Sequence, residues 1–317
     1  MAITLQEAQK NVQDDLQAGV IDEFRKNNFL LDNLTFDDVV SPTGGGATLT
    51  YGYTRLTSQP TAAFREVNAE YTPQTVSKDR YNVDLKVFGG TFQIDRILDG
   101  MGGIVNETTL QMQQKVKAAQ ALFNDTVING DSAVQAKSFD GLEKALTGSS
   151  TEFNPDAVID LSNAAAIKEN YVEFLHMLNK FLRGLDGKPS MIASNSDMIA
   201  AIQLAAQLAG RFQTTTNDFG EQVESYNGIP LIDLGAKAGT NEPVVGTSGT
   251  GEAPLYAVRL GIDGFHGVSM AGHPPVKTWL PDFTTAGAVK TGEVEMVAAV
   301  ALKATKAAGV FRKVKVS

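Results

Sequence analysis

Apolar residues recur at helical spacing over one long stretch, with Val105, Met112, Val116, Ala119, Phe123 and Val127 three, four or seven positions apart. That spacing puts them on one side of a 3.6-residue turn. Gln111, Gln114, Lys115, Gln120 and Asp125 fill the other side. Asn106 suits an N-cap, Glu107 the positive end of the helix dipole, and Gly130 a left-handed helix end. The pattern predicts one helix over 105–129, roughly 35 to 40 Å long at ~1.5 Å per residue. A rod of that length usually serves as a spine.

A second helix is predicted over Asn170 to Arg183, where Tyr171, Phe174, Leu175, Leu178, Phe181 and Leu182 form a continuous apolar stripe closed by Gly184. Met191 to Ala193 reads as a short buried strand. Ser194 or Ser196 is placed to cap a further helix, Asp197 to Ala209. Helix, strand and helix in that order suggest an α+β lobe. Asn154 to Ser162 is polar and linker-like, and Gly235 to Gly251 reads as a mobile loop.

Period-two alternation marks strands over Ala47 to Thr54 and Arg80 to Val87, expected to pair antiparallel, before Gly89-Gly90 breaks the second. Between them, Thr57 to Gln74 is far longer than the ~2 to 5 residues of a hairpin connection. A projecting arm and a disordered lid both account for that length. Further strands are expected at Ile229 to Ile232, Leu255 to Leu260, Val276 to Leu280, Glu293 to Leu302 and Val310 to Val316. Residues 1–43 hold too little apolar surface for a core of their own and suggest a strap, with Leu30, Leu31, Leu34 and Phe36 as its adhesive positions.

The 317 residues include 36 acidic and 27 basic ones, a formal charge of -9, which argues against tight wrapping around nucleic acid. There is no cysteine, so disulfides, thiolate catalysis and Cys-based zinc sites are excluded. The first residues lack a secretory pattern, and no stretch approaches the ~20 apolar residues of a membrane span, so synthesis in cytoplasm and no membrane are expected. His176, His266 and His273 show no metal or catalytic spacing, and Gly246 to Gly251 lacks the lysine of a phosphate loop. No catalytic, cofactor or metal residues are assigned, and the chain is not expected to be an enzyme. Lys303, Lys306, Arg312, Lys313 and Lys315 form an acid-free basic run, read first as the solvent side of edge strands and second as a patch that meets DNA.

Six segments then stand in a particular order: KVFGGTFQIDRILDG before the spine, QALFNDTVINGD followed by FDGL, PSMIASNSDMIAAI, SYNGIPLID, APLYAVRLGIDGFHGVSM and EVEMVAAVALKAT. In that order the sequence resembles the major capsid proteins of tailed bacteriophages, the Hong Kong 97-like shell fold. The resemblance implies an N-terminal arm (1–43), an extended β-hairpin loop (44–88), a peripheral domain with the spine helix (89–184), an axial domain (185–272) and a return to the peripheral sheet (273–317). It implies pentamers and hexamers in an icosahedral shell around double-stranded DNA, met through non-specific contacts, with portal, scaffolding and decoration proteins as partners and the virion as location.

Two departures from the family pattern sharpen these expectations. Many relatives carry a long N-terminal scaffolding segment that a protease removes; here the fold-like sequence starts within about forty residues of Met1, so either a separate scaffolding protein is used or processing has already occurred, and the separate scaffold is the favoured expectation. The loop tip, Thr61 to Glu70, has no lysine, so the autocatalytic crosslink of the best-known member is not expected. Inter-subunit contacts are expected at Leu30, Leu31, Phe36, Phe64, Arg65, Glu66 and Glu70, since aromatic and arginine side chains often anchor interfaces. The alternatives are an encapsulin-like nanocompartment subunit of the same ancestry and, more remotely, an enzyme with Thr57 to Gln74 as a lid.

Overall fold

Backbone order follows the capping and pairing chemistry of the sequence along most of the chain. The computed structural model describes residues 29–41, 48–101, 106–210, 213–216, 222–240, 242–272, 274 and 276–317. Most of the expected arm, Val105 and His273 therefore lie outside the described residues. In chain order, α1 (Phe29–Asn33) and β1 (Phe36–Val40) precede a hairpin, β2 (Thr50–Leu56) and β3 (Lys78–Asp84). β4 (Lys86–Asp95) and α2 (Arg96–Asp99) lead to α3 (Glu107–Asn129). After α4 (Leu142–Leu146), β5 (Glu152–Phe153) and β6 (Ile159–Asp160) come α5 (Ala164–Arg183), β7 (Met191–Ser194) and α6 (Ser196–Leu208). The rest is β8 (Gln213–Thr216), β9 (Gln222–Tyr226), β10 (Ile229–Asp233), β11 (Leu255–Val258) and β12 (Phe265–Met270). β13 (Val276–Trp279), β14 (Val289–Leu302), β15 (Ala308–Phe311) and β16 (Val314–Lys315) close the chain.

The spine helix α3 is capped as the sequence predicts: the Asn106 side chain accepts from the Thr109 N–H. Its far end differs. Gly130 has φ -60° and ψ 132°, an extended rather than left-handed conformation. Glycine is required there for space, because a Cβ would lie 2.3 Å from the Phe139 carbonyl and 2.4 Å from that of Thr126. Only the C-terminal half of α3 is deeply buried, through Ala119, Phe123, Val127 and Ile128, while Met112 and Val116 are half-buried. Burying each large side chain contributes about 1.5–3 kcal/mol.

Among the described residues two large sheets stand beside two two-stranded pairs, β2–β3 and β6–β16. In the five-stranded sheet, β14 pairs along one edge with β4 and along the other with β12 and then β13; β1 joins β12 in parallel. Gly89 and Gly90 do not break β4, which runs through them, since Gly89 lets the Val294 backbone approach closely. β1 and β12, not recognised in the sequence, are held by Gly267, whose missing side chain makes room for the Phe36 ring. The seven-stranded sheet has the order β5-β15-β11-β7-β10-β9-β8.

Each central strand of the seven-stranded sheet is buried on both faces. Met191, Ala193, Tyr256 and Val258 face one core, which also holds Phe123, Ile128, Met296 and Val300. Ile192, Leu255 and Ala257 face the other, with Phe174, Leu178 and Phe181 of α5 and Ile202 of α6. The helix α6 is capped by Asn195, not by Ser194 or Ser196, its side chain accepting from the Met198 N–H. The stretch read as a linker contributes β5 and β6, and Ile159 is buried beside Val314. Val244 and Val245 likewise carry the Gly-rich loop into the core.

Candidate assembly surfaces

The hairpin starts as an ordinary antiparallel ladder, from Thr50 opposite Asp84 to Leu56 opposite Lys78. Beyond it Pro60 and Pro73 lack an N–H, and one backbone bond and two side-chain acceptors supply the rungs. Thr57 N–H donates to the Ser77 carbonyl (3.0 Å), Ser77 N–H to Ser58 Oγ (2.9 Å) and Thr61 N–H to Gln74 Oε1 (2.7 Å). The turn closes at Asn68, φ 70°, with Ala69 N–H on the Glu66 carbonyl. Arg65 staples the tip, donating to the carbonyls of Glu66 and Ala69 and lying 5.4 Å from the Tyr71 ring centre. Every residue from 56 to 82 is exposed, Phe64 fully and Val67 at 88%. The loop is an exposed arm.

At its base the hairpin is fixed to the body. Tyr51, Tyr53 and Arg55 alternate inward. Tyr51 donates to Asp37 Oδ2 (2.9 Å), Tyr53 to the Leu302 carbonyl (2.9 Å), and Arg55 to the carbonyls of Leu302 and Lys303 and to Thr305. Burial raises the pKa of both tyrosines, so they stay neutral donors. Beneath Tyr51, fully buried His266 packs edge-on at 5.7 Å.

A second exposed surface caps the far end of the five-stranded sheet. Asp95 opposes Val289, which sets α2 beside the start of β14, and Trp279 opposes Glu293. Ile97, Leu98, Met101, Trp279, Leu280 and Val289 are all exposed there.

No protein-family model matches the chain, and no curated protein matches it either. Among solved structures that do, a chain of the holo encapsulin complex from Synechococcus elongatus has a TM-score of 0.67 at 13% identity, covering 100% of this chain and 98% of its own. A chain from Mycobacterium phage Bobi gives 0.62 at 13% identity with 100% of both chains covered. The capsid of Myoviridae phage XM1 gives 0.61 at 11% identity, covering 98% of this chain and 99% of its own. The chain has the Hong Kong 97-like shell fold.

The helix α3 spans 23 residues, and β2 and β3 pair as the hairpin whose end is exposed. Phe64, Arg65, Glu66 and Glu70 are all at the exposed loop tip. Leu30 is instead fully buried in its own chain's core, and Leu31 and Phe36 are half-buried against that core, Phe36 with its ring 6.2 Å from Phe123.

Three residues of the C-terminal basic run, Lys303, Arg312 and Lys313, are engaged within the chain. Arg312 binds Glu152 and Glu143, the latter at 2.7 Å, and Glu143 accepts from the Tyr256 hydroxyl (2.6 Å). Lys303 faces Asp37 at 3.6 Å, and Lys313 donates to the Pro155 carbonyl (2.9 Å). These partners lie more than a hundred positions away along the chain, which is why the run reads as unpaired in sequence. His176 is exposed on α5. Among the described residues no group of three or more His, Cys, Asp or Glu is arranged for a metal, and no helix is long and apolar enough to cross a membrane.

Proposed function

We propose that this chain is a major capsid protein, assembling as pentamers and hexamers into the icosahedral shell of a tailed bacteriophage around double-stranded DNA. The observation that carries this reading is the arm: 27 consecutive exposed residues, 56 to 82, on a fold shared end to end with a phage capsid chain. Such an arm has no role within its own chain and every reason to exist between chains. Closed shells repeat heterologous contacts under symmetry, and overlapping arms extend those contacts beyond one compact face. The net charge of -9 suits a container that must not hold its genome tightly.

In this reading the five-stranded sheet and spine form the peripheral part and the seven-stranded sheet with α5 and α6 the axial part. Phe64, Arg65, Glu66 and Glu70 contact a neighbour, with Leu31 and Phe36 securing the start of the arm region. Scaffolding, portal and decoration proteins are the partners such a shell would use. The protein would be made in the host cytoplasm and reside in the virion.

A second reading, a nanocompartment shell subunit, is favoured by the 0.67 TM-score to the Synechococcus encapsulin. Electron microscopy and analytical ultracentrifugation of the purified protein test both. Shells or pentamer and hexamer rings support assembly, and their contents, DNA or protein, separate virion from nanocompartment. A monomer that never assembles, even with its scaffold, overturns both.

A further inference from the structure

The arm tip needs a receiving surface, and a cleft among the described residues has chemistry that matches it. This cleft of about 1090 Å³ opens between the C-terminal end of α5, the strand β5 and the turn at Asn227. Its floor is apolar, with the Phe153 and Phe181 rings 6.1 Å apart and Leu185 beside them. Its rim is basic. Lys180, Arg183 and Lys188 line it, and among the described residues none of the three pairs with a carboxylate. Lys180 lies over the Phe153 ring at 5.8 Å instead. The one acidic side chain in the lining, Glu152, is already held by Arg312 and the Gly148 N–H.

The tip offers the complement. Phe64, Val67 and Tyr71 are large exposed apolar side chains, and Glu66 and Glu70 are exposed carboxylates. The one cation nearby, Arg65, is folded back onto Tyr71 and the tip carbonyls. The ten residues from Thr57 to Glu66 can reach about 33 Å from the hairpin's end at ~3.3 Å per residue, far enough to leave the subunit.

We propose that the cleft at the end of α5 receives the arm tip of a second copy, with Phe64 on the Phe153–Phe181 floor and Glu66 and Glu70 against Lys180, Arg183 and Lys188. This assignment rests on the shell reading above. Apolar contact at the centre and opposed charges at the rim are the usual anatomy of a specific interface. The contact is heterologous, tip to cleft, so it propagates around a ring instead of closing on two copies.

Because the chain has no cysteine, an introduced pair reports this contact alone. Glu66→Cys with Lys180→Cys in one chain, oxidised after assembly, should give a ladder of disulfide-linked multimers on a non-reducing gel. Shells that form but give no ladder overturn the docking assignment and leave the shell reading standing. A ladder from Glu66→Cys with Leu98→Cys, and none from the first pair, places the tip on the far sheet end and also overturns it. A wild-type chain that never assembles overturns the shell reading itself.

Charge reversal guards against a misfolded variant. Lys180→Glu with Arg183→Glu should cut the assembled fraction about tenfold while the thermal melt stays unchanged, since the lost attraction acts between subunits. Adding Glu66→Lys and Glu70→Lys to the same chain should restore assembly. Failure of that rescue, with all variants folded, counts against the assignment.

Discussion

The guanidinium of Arg55 lies 4.3 Å from the centre of the Tyr81 ring while donating to the Leu302 carbonyl. One side chain thus joins both strands of the arm to each other and to the body. The Tyr53 ring stacks on Tyr81 at 5.7 Å, so the two hydroxylated rings and the cation form one clamp at the root of the arm. This clamp fixes the root of the arm to the body.

Arg55→Ala removes the ring contact and the bonds to Leu302, Lys303 and Thr305 together. The expected loss is about 2 kcal/mol, from one cation–π contact and several charge-assisted bonds. Arg55→Lys should recover little of it, because an ammonium cannot serve two carbonyls and a hydroxyl in a planar fork. Thermal melts of the two variants against wild type measure this, and the exposed arm should become more protease-sensitive in both.

Neighbouring glycines in β4 should behave oppositely. A Cβ on Gly89 would lie 2.0 Å from the Val294 carbonyl oxygen, whereas one on Gly90 meets nothing nearer than Lys115 Cδ at 3.5 Å. Gly89→Ala should therefore cost about 3 kcal/mol or more by forcing two paired strands apart. Gly90→Ala should be close to neutral. Urea unfolding of the two variants separates them.

Those two glycines also show what a sequence conceals. Side by side they read as a break, but one is a point of close strand approach and the other has room for a side chain beside Lys115. Where structure depends on spacing within one segment, as in α5 or the alternation of β3, it was legible. The length of Thr57 to Gln74 is legible as a projecting segment, and Phe64, Arg65, Glu66 and Glu70 are exposed at its tip. Pairing between distant segments was not legible, so Arg312 looked like part of a free basic run and β1 and β12 went unnoticed. The cleft is of this second kind: its walls come from around Phe153, from Lys180 to Lys188 and from Asn227.

Arg312→Ala should destabilise the protein through the acids it leaves behind. Glu143 and Glu152 are only partly exposed and would face each other beside Tyr256 without a cation. Breaking a buried pair costs about 3–5 kcal/mol, and partial exposure reduces this to roughly 2. Arg312→Lys should recover less than half, since three acceptors, Glu143, Glu152 and Thr147, match a guanidinium fork. The midpoint of urea unfolding is the readout.

His266 makes stability depend on pH in a known direction. Burial lowers its pKa below the ordinary value of 6.5, and Lys303 adds to the effect. Asp37 and the Gly264 backbone pull weakly the other way, and neither ring nitrogen has a partner in good hydrogen-bond geometry. The Tyr51 ring covers it from the arm, and Tyr51 itself stays neutral. Below 6.5 the unfolded chain takes up a proton that the folded chain refuses, so the histidine's contribution is intact above 6.5 and is lost as pH falls through the lowered folded value. His266→Phe keeps a ring against Tyr51 and removes the titration. Melting temperature plotted against pH should then fall less steeply below 6.5 in the variant than in wild type, and equal slopes would mean that the buried imidazole is not the group responsible.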